Sequence, residues 1–442
     1  MYAPNLDSIR THKMPDWFRD AKLGIFIHWG LYSVPAFAKP TWELGAVPEG
    51  EDWNVNNPYS EWYLNTLRLG QMYGEGETVK FHNKTYGKDF PYEGFVDMWK
   101  AEKWSPNAWA ELFKKAGAKY VVPVSKHHDG YCLWDSKHTS YNTAQSGPCR
   151  DIIKELAAAV REKDMRLGMY YSGILDWRFS QMPIGKGWDM YWVENRTYEY
   201  ADYAYKQFME LVDLFKPEIL WNDIGWPEKG MSDLPMLFAY YYNNVPDGIV
   251  NDRWNGLWQD YTLREYQIGE SDYTDVWENT RGIGLSFGYN TQENESHMLT
   301  HHQLISLLLD TVAKNGNLLI NIGPRADGTI QEEQESRLLA MGKWLETYGD
   351  GIYSTRPYER RHEKADNGVD VYFTQKGREV FVFLDNLPAG DSTIIVKGLS
   401  KAADKARVMD AKLPLKFAAS GADLAVTLTG IEEDAYPIGF RM

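Results

Sequence analysis

EILWNDIGWP, residues 218–227, is the stretch on which the reading of the fold turns. Its apolar run, Ile219-Leu220-Trp221, stops at Asn222-Asp223, and Gly225 and Pro227 keep the extended chain from continuing. A short apolar run of this kind suits a strand covered on both faces. Asp223 then stands at the carboxyl end of that strand, among indole rings. In an α/β barrel this end carries the side chains that meet small molecules; at a helix start the same aspartate would be an N-cap. The surrounding chain decides.

Outward from this stretch, short apolar runs alternate with helical patterns as far as about residue 350. The strand candidates are LGIFIH (23–28), YVVPVSK (120–126), RLGMYY (166–171), EILWND (218–223), GIVNDR (248–253), REYQI (264–268), GLSFG (284–288) and NLLINI (317–322). Helices are expected at 105–119, where Ser105 caps and Pro106 opens the first turn, and at 150–164, where Ile153, Leu156 and Val160 share a face. Two more are expected at 197–215 and 301–316, the last stopping at Asn315-Gly316. Eight strands alternating with helices predict a (β/α)₈-like barrel of the α/β class over residues 1–353, with a long aromatic-rich insertion from about 31 to 100. Beyond it the pattern changes to short strands separated by turns: VDVYFT (369–374), EVFVFL (379–384), STIIVK (392–397), LPLKF (413–417) and DLAVTL (423–428). They predict a C-terminal antiparallel β-sandwich over 354–442. It lacks an evident aromatic platform, so packing against the barrel is expected of it rather than carbohydrate binding.

Composition narrows the partners. A net charge of −15 disfavours nucleic acid and anionic membranes, which like charge repels. Cys132 and Cys149 are the only cysteines, too few for a disulfide framework, and no apolar run is long enough to span a membrane. The first residues carry no apolar signal-peptide core, so a cytoplasmic protein is expected. Sequons at 83, 195 and 294 matter only for a chain secreted by a eukaryote. With 18 Trp and 29 Tyr, the chain has flat rings in the number that suits stacking on sugar faces.

The residues that follow the strands carry the chemistry. In order they are His28-Trp29-Gly30, Lys126-His127-His128-Asp129-Gly130, Tyr170-Tyr171-Ser172, Asn222-Asp223, Asn251-Asp252-Arg253-Trp254, and a sixth region with Glu265 and Glu270. Six successive strand ends with hydrogen-bonding groups make a rim built for a ligand. A metal centre is disfavoured: neighbouring His127 and His128 would point to opposite sides of a strand end, away from one ion. Glycoside hydrolysis needs two carboxylates across an anomeric carbon, one charged and one protonated. Asp223, kept charged by Asn222 and neighbouring donors, suits the first role, and Glu265 is the best-placed second. Arg253 would steady the negative charge.

At these positions the sequence resembles the α-L-fucosidases of glycoside hydrolase family 29. The matching stretches are KLGIFIHWGLYSVPA (22–36), SEWY (60–63), AGAKYVVPVSKHHDGYCLWDSKHTSYN (116–142), MYYSGILDW (169–177), LWNDIGWP (220–227), NDRW (251–254), TRGIGLSFGYN (280–290) and NLLINIGPRADGTI (317–330). The resemblance implies a barrel followed by a β-sandwich, and a retaining, exo-acting enzyme that releases terminal α-linked L-fucose from oligosaccharides or glycoconjugates. It implies Asp223 as nucleophile and Glu265 as acid/base, with Glu61 and Glu270 as alternatives for the second role. It also implies His28, Glu61, His127, His128, Tyr170, Trp221 and Arg253 as fucose ligands, and Trp62 and Phe287 as the apolar wall for the C5 methyl. No metal or cofactor is expected, and a homo-oligomer is an open option. Two other readings stay open at this stage: a fucose-binding protein without catalysis, and a barrel glycosidase for another sugar.

Overall fold

The computed structural model describes residues 1–43, 46–51, 53–54, 57–74, 76–185, 195–266, 275–413 and 415–442. Eight parallel strands run in order round one curled sheet: β1 Leu23–Ile27, β2 Tyr120–Lys126, β3 Arg166–Ser172, β4 Ile219–Asp223, β5 Ile249–Val250, β6 Thr262–Glu265, β7 Trp277–Gly282 and β8 Gly316–Ile322. The hydrogen-bonded succession is β5-β4-β3-β2-β1-β8-β7-β6. Among the described residues no ladder joins β5 to β6. That seam is bridged instead by Asp260 N to Val250 O at 2.9 Å and by Leu263 N to the Asp252 carboxylate at 3.1 Å.

Apolar side chains fall on both sides of this sheet, as a parallel sheet covered by helices requires. Phe26, Tyr120, Val122, Val124, Tyr170, Ile219, Trp221, Ile249, Leu263 and Leu319 form an apolar cluster inside the curl. The other face meets helices such as Pro106–Lys115, Ile152–Glu162, Tyr198–Phe215 and His301–Ala313, close to their expected places. The Ser105 hydroxyl accepts from Ala108 N, and Thr300 and Gln303 close a reciprocal capping box. The insertion after β1 holds helices of its own, Tyr63–Tyr73 and Glu77–Thr85.

Three barrel-strand expectations are corrected. The seventh strand is Trp277–Gly282, and GLSFG (284–288) is a loop. The strand escaped notice because Glu278 and Thr280, both fully buried, break the apolar pattern on which it would be recognised. The sixth begins earlier, at Thr262, and residues 267 and 268 lie outside the described residues. GIVNDR narrows to the two residues of β5, which leaves Asn251, Asp252 and Arg253 in the following turn.

After helix Glu332–Tyr348 come the antiparallel strands β9 Arg356–Lys364, β10 Asp370–Lys376, β11 Glu379–Asp385, β12 Gly390–Val396, β13 Arg407–Val408, β14 Lys416–Ser420, β15 Asp423–Ile431 and β16 Ile438–Arg441. They form a five-stranded sheet, β13-β16-β11-β10-β9, and a three-stranded sheet, β12-β15-β14. The last loop-side expectation, LPLKF, moves to Lys416–Ser420, and Pro414 lies outside the described residues. One apolar cluster continues from the outer helices into this region, taking in Trp344, Tyr348, Phe381 and Phe383. The Trp344 indole donates to Pro437 O at 2.7 Å, and Tyr353 Oη donates to Gly117 O at 2.6 Å.

A buried ion pair fastens two of the strand ends that face the site. Lys126 Nζ, at the end of β2, donates to Asp176 Oδ2 at 2.9 Å and to Tyr200 Oη at 3.2 Å, over the Tyr171 ring at 4.4 Å. Asp176 belongs to the loop after β3, and Trp177 N donates to His128 O at 2.7 Å. Gly130 closes the same turn at φ +74°, where a Cβ would lie 2.5 Å from Asp176 Oδ1. Asp176→Ala leaves the Lys126 charge buried without its partner and is expected to destabilise the fold by about 3–5 kcal/mol in a denaturant titration. The double variant Lys126→Met/Asp176→Leu is expected to lose less. A larger loss in the double variant would show that the pair acts through packing alone.

Candidate active site

The period of two along a strand builds the pocket. Inward-facing Phe26, Trp221, Leu263 and Leu319 belong to the apolar interior. Two residues further on, the same faces present His28, Asp223, Glu265 and Asn321. Each of these strands thus ends as an apolar floor followed by a polar rim. The resulting pocket, about 360 Å³, is lined by Asp223 and Glu265 and by all nine expected ligand residues: His28, Glu61, Trp62, His127, His128, Tyr170, Trp221, Arg253 and Phe287. A larger cleft, about 900 Å³, lies beside helix His301–Ala313 and shares none of these residues. Glu270 lies outside the described residues.

The two carboxylates share one cation. Arg253 Nη1 donates to Asp223 Oδ1 and Nη2 to Glu265 Oε2, the latter at 2.6 Å. Asp223 also accepts Tyr170 Oη at 2.7 Å and its neighbour's backbone N–H, from Ile224, at 2.9 Å. Burial pushes the Asp223 carboxyl up, but Arg253 foremost and the Tyr170 hydrogen bond outweigh it, so the group is held below the usual aspartate range. At Glu265 the balance runs the other way. Burial and the Asp223 charge together exceed the pull of Arg253, and the carboxyl is raised. Each carboxylate is followed by a non-glycine residue in the left-handed region, Ile224 at φ 61° and Tyr266 at φ 53°. For a β-branched isoleucine that conformation is strained, and strain of this kind gathers at functional sites.

Asn222 has a different job from the one expected. Its amide donates to Gly225 O at 3.0 Å and to Arg253 O at 2.6 Å, and Asn251 Nδ2 donates to Asn222 O at 2.8 Å. Asn222 therefore fastens the turns after β4 and β5 together; the charge on Asp223 is sustained by Tyr170, Arg253 and the Ile224 N–H.

Burial keeps the histidines neutral, and His28 and His128 each offer an acceptor nitrogen. Asn321 Nδ2 donates to Phe287 O at 2.7 Å, which aims its Oδ1 at His28 Nδ1, 2.7 Å away, so the His28 proton sits on Nδ1. Likewise the Ser172 hydroxyl donates to Leu175 O at 2.7 Å and accepts from His128 Nδ1 at 2.6 Å. His128 Nε2 is then a lone pair 4.0 Å from Asp223 Oδ2, a spacing that a shared hydroxyl could bridge. Burial lowers His28 to about 4 and His128 to about 3, and His127 well below the ordinary value, so all three stay uncharged near neutral pH. The expectation that His127 and His128 diverge is corrected. The strand ends at Lys126 after an irregularity in its pairing with β3, and the two rings, 4.0 Å apart, line one pocket from the turn. Among the described residues there is no cluster of three metal-ligating side chains.

The insertion supplies the opposite wall. Glu61 Oε2 accepts Gly288 N at 2.8 Å and Ser286 Oγ at 3.2 Å, and burial pushes its carboxyl up to about 7. The Trp62 ring stands edge-on to His128 at 5.2 Å, and Phe287 lies 4.9 Å from His28. Phe26, Val47, Trp53, Asn54, Tyr59, Ile224 and Thr280 also line the pocket without having been singled out from the sequence. For Phe26 the signal was available, since it lies two residues before the rim position His28 on the same face; Thr280 stayed hidden with its strand. Val47, Trp53, Asn54 and Tyr59 lie in an irregular segment, where no periodicity marks them.

A barrel rim with two carboxylates in unlike environments, neutral hydroxyl acceptors and an aromatic wall is the site of a glycoside hydrolase. The comparisons with known proteins narrow this. The description of the family "Alpha-L-fucosidase" matches residues 1–350, and the chain belongs to that family. It is 31% identical to an α-L-fucosidase of Branchiostoma floridae over 99% of this chain and 93% of that one. Among solved structures, the Thermotoga maritima α-fucosidase in complex with fucose is 47% identical, with a TM-score of 0.90 and full coverage of both chains. A Thermotoga maritima α-L-fucosynthase in complex with α-L-Fuc-(1-2)-β-L-Fuc-N3 is 49% identical, with a TM-score of 0.92 over 100% of this chain and 99% of that one. The protein is an α-L-fucosidase with a barrel and a C-terminal β-sandwich.

Replacing Arg253 with Met removes the cation that holds Asp223 charged, so its carboxyl takes up protons at higher pH. The acid limb of kcat/KM for 4-nitrophenyl α-L-fucoside is expected to move up in pH, with the plateau falling roughly 10²–10³-fold. A limb left in place would show that Arg253 does not set the charge of Asp223.

Proposed function

We propose that the protein is an exo-acting, retaining α-L-fucosidase that removes terminal α-linked L-fucose from oligosaccharides or glycoconjugates by double displacement. The observation that carries this reading is the split between the two carboxylates on Arg253: Asp223 is held charged while Glu265 is raised. That division is what a nucleophile and a general acid need. A single guanidinium bridging both also favours the short carboxylate spacing, about 5–5.5 Å, over the wider one that admits a water between them.

In the first step an Asp223 oxygen attacks the anomeric carbon, and the glycosidic bond breaks as Glu265 gives its proton to the departing oxygen. In the second, Glu265 takes a proton from water, which attacks the anomeric carbon and frees Asp223. Arg253 offsets the paired negative charge throughout. His28 and His128 accept from ring hydroxyls through Nε2, with His127, Tyr170 and Glu61 as further polar ligands. Trp62 and Phe287 receive the C5 methyl, while Trp221 offers a flat face to the ring. Glu61 is tied to the Gly288–Ser286 loop, away from Arg253, which suits a hydroxyl ligand better than an acid/base. The pocket is closed below by Phe26 and Trp221, and a blind pocket takes a chain end, which supports exo action.

Asp223→Ala is expected to lose roughly 10⁴-fold in turnover of 4-nitrophenyl α-L-fucoside, and added azide to restore it as the fucosyl azide of inverted configuration. Retention of near wild-type turnover would remove Asp223 as nucleophile. Glu265→Ala is expected to lose roughly 10²–10⁴-fold on natural oligosaccharides and far less on nitrophenyl fucoside, whose leaving group needs no proton. Equal losses on both substrates would remove Glu265 as the acid.

A further inference from the structure

One interior position places a carboxyl in the otherwise largely apolar floor. Below the rim residue Thr280 on β7 stands Glu278, fully buried inside the curl of the sheet. Its Oε1 accepts Tyr120 Oη at 2.6 Å, and its Oε2 accepts the Trp221 indole N–H at 2.9 Å. Its register partner on β6 is the apolar Leu263 and on β8 the buried amide Asn317, while Phe26, Trp221 and Leu319 are apolar inward residues of β1, β4 and β8. A carboxyl in such surroundings is costly to bury, and a leucine there would fill space without that penalty. What leucine lacks is an acceptor for the Trp221 edge.

Trp221 is the plate on which the pocket's polar groups rest. Its ring stacks on Tyr170 at 5.5 Å and 25°, and Tyr170 Oη donates to Asp223. The Arg253 guanidinium lies over the Trp221 ring, 5.1 Å from its centroid. Phe26 packs against it at 4.9 Å. Stacking alone fixes the indole loosely against tilting about its Cβ–Cγ bond; the hydrogen bond to Glu278 adds a directional restraint at its edge.

We propose that Glu278 is a positioning residue: by accepting the Trp221 N–H it fixes the indole that seats Tyr170 and Arg253, the two side chains that hold Asp223 charged. The proposal rests on Asp223 as the group that must be ionised. Glu278 itself faces Tyr120 from β2, Trp221 from β4 and, between β5 and β6, Tyr261 and the charge of Asp252; burial pushes it up to about 7.

The test compares Glu278→Leu, Glu278→Gln and Trp221→Phe by kcat/KM against pH with 4-nitrophenyl α-L-fucoside, alongside thermal melts. Glu278→Leu is expected to lose about tenfold or more, with the acid limb displaced to higher pH by about half a unit or more. Glu278→Gln keeps an acceptor for Trp221 and a donor for Tyr120, and is expected to retain the wild-type limb. Trp221→Phe keeps a stacking ring but deletes the N–H. It is expected to shift the limb as Glu278→Leu does, and to do so even if Glu278→Leu does not fold. A folded Glu278→Leu or Trp221→Phe with an unmoved limb overturns the proposal, since lost packing lowers Tm without shifting the titration of Asp223. Asp223→Ala assayed in parallel separates the two readings. Its activity would sink the nucleophile assignment, whereas its inactivity beside an unmoved limb would sink only the role of Glu278.

Discussion

Two carboxylates held by one buried guanidinium form the constraint around which this structure is arranged. Asp223 ends β4, Glu265 ends β6, and Arg253 reaches both from the turn after the short strand β5. Removed from water, two carboxylates and one cation leave an excess negative charge, and a proton on one carboxylate relieves it. The extra hydrogen bonds go to Asp223, from Tyr170 and Ile224 N, so its carboxyl is lowered while that of Glu265 is raised. Arg253 is the common partner of the two carboxylates, so the charge of each bears on the other. The left-handed conformations of Ile224 and Tyr266 end both strands sharply and leave the carboxylates at the rim.

The rest of the pocket follows from strand periodicity and from hydrogen-bond bookkeeping that begins outside the site. Asn321 and Ser172 each donate to a backbone carbonyl, and that commitment decides which histidine nitrogen carries the proton. The nitrogens left over are acceptors, which is what a hydroxyl-rich ligand requires. Uncharged rings also let three histidines sit together beside an arginine without repulsion. Lys126 and Asp176, paired and dry, pin the turn that carries two of those rings.

The antiparallel region packs as an extension of the barrel's outer layer. Trp344 and Tyr348, on the helix that precedes it, lie against Phe383, and the Trp344 N–H is satisfied by Pro437 O. A hydrogen-bonded pair, His302 and Asp385, joins helix His301–Ala313 to β11 at 2.7 Å. These contacts use the aromatic residues Trp344, Tyr348 and Phe383 to pack the region against the barrel's outer helices.

Much of the site could be read from the chain because it lies where strands end, and strand ends are marked by a change from apolar to polar residues. That change located His28, the His127-His128 pair, Tyr170, Asp223 and Arg253, and the resemblance added Glu61, Trp62 and Phe287, all of which line one pocket. What stayed hidden has physical causes. β7 carries Glu278 and Thr280 on its inner face, so it shows no apolar alternation, and the neighbouring GLSFG loop imitates a strand better than the strand does. The direction of the two adjacent histidines depends on a slipped register between β2 and β3, a pairing between segments some forty residues apart. Which carboxylate is raised and which lowered, which nitrogen of His28 and of His128 carries the proton and what the Trp221 indole leans on are set by groups distant in sequence. The order of apolar and polar residues, a local property, determined most of the strands, the barrel class and most of the rim by itself; β7, and the charge and hydrogen bonding that act through space, were decided only when the strands closed round the pocket.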